Sequence, residues 1–280
     1  MIYTRFYDQV MTEIEAGKVH DGINLLVGML DTVDLQAGSL ERARRELHGH
    51  SLSQMLREDP VIAHAVALPD CTAERLKMIG QSLANAETSS TGRRLFEVTR
   101  ELTFARALRE RRDSFELKLA RSWRQGDNIF LIADDSTSYL GALDTSDFSN
   151  IAVAGVDDIL SAIICKAGSL SQFDLILAPD LLDRCDGPAL LDCLRHMRPG
   201  LAKQGSIILA GLTPQHLGAG WRSACLDWHP FCYDECGLAQ IATDAELSAR
   251  MYRDETNCIV WAEFRDAVAT GACGETGNAS

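Results

Sequence analysis

Carboxylate and guanidinium side chains follow the most strand-like stretch of the sequence. Residues 175–178 form a short apolar run that ends at Pro179, and Asp180, Asp183 and Arg184 come directly after it. A short apolar run between turn residues is typical of a strand that is buried on both faces. Because ligands of parallel sheets bind beyond the carboxyl ends of the strands, these three charged residues are candidate ligand-binding residues.

A helix and a second buried strand follow this run. Residues 187–204 carry leucines and a methionine at spacings of three and four, which is typical of an amphipathic helix. Residues 206–212 form the next apolar run. A strand, a helix and a strand in this order predict a right-handed crossover within a parallel sheet. His216 follows the second strand closely, so it is a further candidate at the same edge.

Four more strands complete the predicted sheet. Residues 128–133 and 150–155 are apolar runs that precede the first crossover. Residues 245–254 and 257–265 lie close together near the end of the chain and predict an antiparallel hairpin. The sequence therefore predicts an α/β fold with a Rossmann-like parallel sheet that ends in a hairpin.

The first half of the chain carries helical patterns only. We expect a helical N-terminal domain over residues 1–125, an α/β domain over 126–266 and a mobile tail over 267–280. One long helix is predicted from 93 to 124, and nine arginines lie along it. They favour a solvated face with the pairs Arg93–Glu97, Arg106–Glu110 and Arg112–Glu116. The alternative is an arginine that reaches an anionic ligand.

Composition narrows the range of functions. The chain has 280 residues, is 46% hydrophobic and carries a formal net charge of −13. This charge argues against binding to nucleic acid or to an anionic membrane surface, since both favour clustered Lys and Arg. The sequence shows neither a membrane-spanning run nor a signal peptide, so we expect nine reduced cysteines and a cytoplasmic protein.

A group of metal-binding residue types, Cys225, His229, Cys232 and Cys236, falls at helical spacing. On a continuous helix its two ends would be about 16 Å apart, too far to share one ion. Pro230 would break such a helix, which leaves a wrapped arrangement open. We expect half-buried packing here and predict no metal site.

Several segments together resemble one protein family. The sequence is similar to the class I SAM-dependent methyltransferases, and among them to the bacterial enzymes associated with 3-hydroxy fatty acid methyl ester signals. The segments that carry the resemblance are His50 to Pro60, Leu108-Arg109-Glu110-Arg111-Arg112, Phe173 to Asp183, Leu201-Ala202-Lys203-Gln204-Gly205, Thr213-Pro214-Gln215 and Leu226-Asp227-Trp228. The resemblance implies a helical N-terminal part, a methyltransferase domain and SAM as the cofactor.

The resemblance implies that SAM is held at two places. One is a glycine-rich turn after the first strand, where backbone must approach the cofactor closely. The other is a carboxylate after the second strand, which accepts the ribose hydroxyls. Here the first strand runs into Asp134-Asp135-Ser136-Thr137-Ser138-Tyr139-Leu140-Gly141, with no glycine before the last position. Asp134, Tyr139, Asp157 and Asp180 are the candidate cofactor-binding residues.

Residues 150–155 have two interpretations. They form either the second strand, with Asp157 as the ribose carboxylate, or the third strand of the family pattern. In the second case one βα unit is missing before them, because the residues between Leu140 and Asn150 are too few to supply it. We favour this deletion.

Two functional hypotheses follow. The first is a methyltransferase-fold protein with a degraded SAM site, non-catalytic or repurposed to bind an acyl or other small ligand, or a partner protein such as a related active methyltransferase. The alternative is an active SAM-dependent O-methyltransferase for a small or acyl carboxylate or hydroxyl, which requires alignment of the methyl group with the acceptor oxygen. The candidate substrate-binding residues are Asp183, Arg184, His216, Trp228 and Tyr233.

Overall fold

The chain forms two compact units. A computed structural model describes residues 2–34, 38–68, 88–143, 147–156 and 172–267. The first unit comprises residues 1–109 and 215–229, and the second comprises residues 110–214 and 230–280. The first unit thus ends earlier than the sequence-based boundary at 125 and includes a segment from the second half of the chain.

The regular secondary structure of the first unit, in the residues that the structure describes, is helical. Its helices, in chain order, are α1 (Thr4–Glu15), α2 (Val19–Asp34), α3 (Ser39–His48), α4 (Ser51–Leu56), α5 (Pro60–Ala67), α6 (Ser90–Glu101), the start of α7 (Thr103–Gln125) and α11 (Ala219–Leu226). α11 packs against α2, α3 and α5, which explains why residues 215–229 belong to this unit.

Helix α1 confirms half of its predicted apolar stripe. The spacing predicts a buried face with Ile2, Phe6, Val10 and Ile14. Val10 and Ile14 are buried, but Ile2 is 64% exposed, and Tyr7 is fully buried in the first turn. The Tyr7 hydroxyl donates a hydrogen bond to the carbonyl of Ala43, 2.8 Å away. A tyrosine whose polar end has a buried partner can therefore replace the neighbouring phenylalanine in the core.

The long arginine-rich helix is in fact two helices. α6 and α7 are separated at Leu102, whose backbone is extended, with φ −57° and ψ 142°. The Arg109 guanidinium donates hydrogen bonds to the carbonyl of Arg100 and to the Glu101 carboxylate, which satisfies groups that the break exposes. The prediction of one continuous helix is wrong at this position.

The described part of the second unit is a six-stranded sheet with helices. Its strands are β1 (Ile129–Ile132), β2 (Ile151–Ala154), β3 (Phe173–Ala178), β4 (Leu201–Leu212), β5 (Leu247–Arg253) and β6 (Ile259–Asp266), in the order β2-β1-β3-β4-β6-β5. The first four strands are parallel, and β6 pairs antiparallel with both β4 and β5. The α/β class and the closing hairpin are confirmed, and the sheet is Rossmann-like.

Among its described residues, the helices of this unit are the remainder of α7, α8 (Ser136–Leu140), α9 (Leu181–Arg184), α10 (Gly187–Met197) and α12 (Glu235–Asp244). α10 ends at Met197, and one 3-10 turn (Arg198–Gly200) connects it to β4. The strand therefore begins at Leu201, five residues before the predicted start. Pro199 explains the difference, because proline ends the helix that the leucine spacing would continue.

The strand over 151–154 lies beside β1. β2 pairs in parallel with β1, from Ile129 opposite Ile151 to Ile132 opposite Ala154. In a Rossmann-like sheet the second strand lies beside the first, and the third lies outside it. Residues 151–154 occupy the position beside β1, which a second strand takes and which a third strand takes when the βα unit before it is missing. The described sheet has no strand outside β2.

Four predictions fall on residues outside the described ranges. They are the helices over 72–86 and 158–165, Asp157 as a ribose-binding carboxylate, and the tail beyond 267. Among the helices that the structure describes, none has both the length and the apolar character needed to span a membrane.

Candidate functional site

Two carboxylates meet where β1 and β3 end. Leu131 of β1 lies opposite Leu177 of β3. Asp134 and Asp180 are each three residues farther along, so the parallel register brings them side by side. The backbone N–H of Asp134 donates a hydrogen bond to Asp180 Oδ2 at 3.4 Å. The sequence predicted both residues, and their proximity follows from the pairing of the two strands.

An arginine from α9 neutralises the first carboxylate. Arg184 Nη1 donates to Asp134 Oδ2 at 2.7 Å. The two side chains are 31% and 15% exposed, so the ion pair is only partly accessible to solvent. α9 directly follows β3, and this short connection places Arg184 over the end of β1. A side chain of the protein itself therefore pairs with the carboxylate in the turn after β1.

A second arginine lies beneath these groups. Arg111 of α7 is 4% exposed, and its Nη1 donates to Asp183 Oδ2 at 2.8 Å and to the carbonyl of Ala210 at 3.2 Å. Its Nη2 lies 3.9 Å from Asp180 Oδ1. Burial favours loss of the proton, but the two carboxylates outweigh it and raise the pKa of Arg111. The guanidinium therefore remains charged and connects β4 with the segment after β3.

The ionisation of Asp180 is perturbed by its surroundings. Burial raises the pKa of Asp180 to about 6, although the charge of Arg111 acts in the opposite direction. The charges of Asp183 and Asp134 add to the increase. Three carboxylates for two arginines leave this cluster with an excess of one negative charge when all are ionised. Asp180 therefore takes up a proton closer to neutral pH than an ordinary aspartate does.

Asp135 and Tyr139 belong to the short helix after β1. Asp135 is the N-cap of α8 and accepts a hydrogen bond from the Ser138 N–H at 3.2 Å. The Tyr139 ring is buried, and the Arg112 guanidinium lies 5.9 Å from its centroid. Burial and the charge of Asp180 raise the pKa of Tyr139, so its hydroxyl stays protonated.

Helix α7 provides one predicted ion pair. Arg112 Nε donates to Glu116 Oε1 at 2.8 Å, as the spacing indicated, and Arg112 also donates to the Ser138 hydroxyl. This pair is partly exposed, in contrast to the adjacent Arg111. The solvated-face interpretation therefore holds for Arg112 and is wrong for Arg111.

The candidate substrate-binding residues separate into two sets. Asp183, Arg184 and Tyr233 belong to the second unit, where the Tyr233 hydroxyl donates to the carbonyl of Cys185 at 2.5 Å. His216 and Trp228 belong to the first unit and are buried there. The His216 ring lies 6.5 Å from Phe104, and the Arg222 guanidinium lies 5.6 Å from the Trp228 ring. The roles of all five residues remain predictions.

Arg111 is the principal residue that sequence reasoning did not single out. A signal was present in the spacing, because Arg111 lies three residues after Leu108 and four before Phe115, both of which are buried. A charged residue on a buried helical stripe requires an opposite charge. Asp183 supplies that charge from a position 72 residues away in the chain.

The cysteines and the histidine between residues 225 and 236 are divided between the two units. Within the described ranges, no three His, Cys, Asp or Glu side chains are grouped so that they could hold a metal ion. Cys225 and His229 lie in the first unit, whereas Cys232 and Cys236 lie in the second.

Comparison with known proteins supports the fold and leaves the family open. The sequence matches no protein-family model and no curated protein. A possible exported protein from Bordetella parapertussis is 16% identical, with a TM-score of 0.50 over 82% of this chain and 99% of that one.

Methyltransferases occur among the other similar structures. The mitomycin 7-O-methyltransferase MmcR is 13% identical, with a TM-score of 0.42 over 93% of this chain and 98% of that one. The pyocyanin biosynthetic protein PhzM is 14% identical, with a TM-score of 0.40 over 71% of this chain and 63% of that one. Sequence identities this low concern the fold and give no evidence for a shared activity.

Proposed function

We propose that this chain is a methyltransferase-fold protein that does not use SAM and instead binds a ligand or a partner protein. The observation that carries the proposal is the ion pair between Asp134 and Arg184 at the turn after β1. In an active relative that turn would be glycine backbone held against the cofactor. Here a carboxylate and a guanidinium fill the same position.

Three polar groups at the turn after β1 are already engaged. The Asp134 N–H is donated to Asp180, the Asp134 carboxylate is paired with Arg184, and Asp135 caps α8. A backbone N–H that is bonded internally is lost to a ligand unless the internal bond breaks. The residues present therefore do not fit SAM in the usual arrangement.

The charge of the cluster indicates what could bind in its place. The Asp134–Arg184 pair is partly exposed, whereas Arg111 and Asp183 are buried. Partly exposed ion pairs can exchange partners with groups of an incoming molecule at modest cost. An acyl ligand with a polar head, or a loop of a partner protein such as a related active methyltransferase, would interact with these two side chains.

Binding of SAM and S-adenosylhomocysteine to the full-length chain tests the proposal. We expect no heat of binding in calorimetric titration with either compound up to about 1 mM, which corresponds to a binding free energy weaker than about −4 kcal/mol. An active methyltransferase of the same fold, titrated in parallel, serves as the positive control for the compounds.

The outcome that would overturn the proposal is saturable binding in the micromolar range. Such binding would favour the alternative, an active SAM-dependent O-methyltransferase for a small or acyl carboxylate or hydroxyl. If neither compound binds, capture of partners from the native cell with wild type and with Arg184→Glu is the next experiment. Partners that depend on the Asp134–Arg184 ion pair should be lost from the variant.

A further inference from the structure

A serine, a histidine and an aspartate are connected by short contacts in the first unit. Ser223 belongs to α11, and Asp227 and His229 follow the end of that helix. Ser223 Oγ lies 3.3 Å from His229 Nδ1, and Nε2 of the same ring lies 3.2 Å from Asp227 Oδ1. A hydroxyl, an imidazole and a carboxylate in this order of contact are the nucleophile, base and orienting group of acyl-transfer sites on unrelated folds.

The backbone at the end of α11 produces these contacts. Asp227 lies in the left-handed region, with φ 47° and ψ 41°, which aspartate adopts more readily than most non-glycine residues. The chain therefore turns back, and the N–H groups of Asp227 and Trp228 both point to the carbonyl of Arg222. The Arg222 guanidinium donates in turn to the carbonyl of Trp228, so the segment that carries His229 is fixed against the helix.

The contacts also decide which nitrogen of the neutral His229 ring carries the hydrogen. A carboxylate only accepts hydrogen bonds, so Nε2 donates to Asp227 and Nδ1 has no hydrogen. Nδ1 can then accept the hydroxyl hydrogen of Ser223. Arg44 Nη2 lies 2.6 Å from Asp227 Oδ1 and holds the carboxylate in this position.

The three side chains are accessible from solution. Those of His229 and Asp227 are 56% and 43% exposed, and Ser223 is partly exposed. A small reagent can therefore reach the Ser223 hydroxyl. A positioned base that removes the hydroxyl proton during attack increases the rate by about 10²–10⁴.

We propose that Ser223 is an acylation site for small activated acyl esters, of which acyl thioesters are the biological class, and that His229 is its general base. The proposal rests on the two short contacts and on the exposure of the three side chains. It is independent of the proposed function, because these residues lie in the first unit and the carboxylate cluster lies in the second.

The reaction is a single acyl transfer. The Ser223 oxygen attacks the carbonyl carbon of the thioester while His229 Nδ1 takes the hydroxyl proton. A C–O bond forms and the C–S bond breaks, and the sulphur leaves with the electron pair of that bond. The imidazolium then gives its proton to the thiolate. One serine and one thioester thus give one acyl-serine and one thiol, and nothing is oxidised or reduced.

Peptide mapping of the full-length wild-type protein tests the proposal, with p-nitrophenyl acetate as the probe. Trypsin cleaves after Arg222 and after Arg250, so residues 223–250 form one peptide that contains Ser223 and Ser248. Ser248 is also partly exposed, but its hydroxyl donates to the carbonyl of Arg265, so it serves as the internal control. Neutral hydroxylamine removes acetyl groups from cysteine before the peptide is fragmented. We expect Ser223 to be acetylated about 100-fold faster than Ser248.

Two histidine variants test the role of the base. His229→Asn should lower the acetylation rate of Ser223 by about 100-fold. His20→Asn, which changes an exposed histidine in contact with Asn24, should leave this rate unchanged. Equal acetylation of Ser223 and Ser248 in the wild type, or an unchanged rate in His229→Asn, would overturn the proposal. The comparison of the two serines decides the matter even if a variant fails to fold.

Asp227 acts through His229 and is therefore a positioning residue. Its role has a spectroscopic signature, because nitrogen NMR distinguishes the two tautomers of a neutral histidine ring. We expect the Nε2–H tautomer for His229 in the wild type and a shift toward the Nδ1–H tautomer in Asp227→Asn, together with slower acetylation of Ser223. A wild-type ring that carries its hydrogen on Nδ1 would contradict the assignment of His229 as the base.

Discussion

Replacement of Arg111 by methionine should destabilise the second unit strongly. The guanidinium donates to Asp183 and to the carbonyl of Ala210, and it lies 3.9 Å from Asp180. The side chains of Arg111 and Asp183 are 4% and 1% exposed. Methionine has a similar length but cannot donate a hydrogen bond, so the Asp183 carboxylate would remain buried without its cation.

The magnitude follows from the burial. Removal of one partner of a buried ion pair costs about 3–5 kcal/mol, because an uncompensated charge remains. The free energy of unfolding of a domain is about 5–15 kcal/mol, so this loss is a large part of the total. The adjacent pair Arg112–Glu116 provides the matched control, because its side chains are 30% and 23% exposed. We expect Arg112→Met to cost about 1 kcal/mol or less.

The loss should depend on pH in a defined direction. The pKa of Asp180 is raised to about 6 even with Arg111 present, and the arginine charge lowers it. Without that charge the pKa of Asp180 in the folded protein rises further, while its value in the unfolded chain is unchanged. A carboxyl whose folded pKa is raised stabilises the fold at low pH and loses that contribution as pH rises. The difference between wild type and Arg111→Met should therefore increase above about pH 6.

Urea unfolding followed by circular dichroism at pH 5 and pH 8 measures this difference. Equal stability of Arg111→Met and Arg112→Met at pH 8 would refute the assignment of a buried ion pair. A larger loss at pH 5 than at pH 8 would refute the reasoning about Asp180.

Two further predictions concern the first unit. Asp59 is fully buried, and burial raises its pKa to about 6, so its ionised form is unfavourable at pH 8. Asp59→Asn keeps an acceptor for the Val61 N–H and should stabilise the fold by up to about 3 kcal/mol at pH 8 but not at pH 5. An equal effect of this variant on the free energy of unfolding at both pH values contradicts the burial argument. A Cβ at Gly220 would lie 2.3 Å from the carbonyl oxygen of Leu30, so Gly220→Ala should cost about 1–3 kcal/mol in thermal unfolding. Gly28→Ala, where no atom lies within 4 Å, should be neutral or stabilising, and similar effects of the two alanines would contradict the packing at Gly220.

Much of the sheet could be predicted from local sequence. β1, β3 and the closing hairpin were predicted to within a few residues, because buried strands are short apolar runs between turn residues. The position of β2 could not be predicted in this way, since its neighbour is decided by backbone pairing with β1. The break between α6 and α7 was also missed, because both sides of Leu102 have good helical spacing.

Local sequence also predicts the candidate site only in part. The sequence indicated Asp134, Asp180, Asp183 and Arg184, because they follow strands at the edge where parallel sheets bind ligands. It did not indicate which charges neutralise one another. Arg184 pairs with Asp134, 50 residues away, and Arg111 pairs with Asp183, 72 residues away.

The sequence by itself determined the order of the strands along the chain, the helical first half and the absence of glycine after β1. Hydrophobic periodicity and turn residues specify structure within segments of a few residues, so these features can be predicted from local sequence. Only the tertiary structure decided that Arg184 pairs with Asp134 and that Arg111 pairs with Asp183. Burial and charge pairing depend on which distant segments pack together, and no local pattern contains that information.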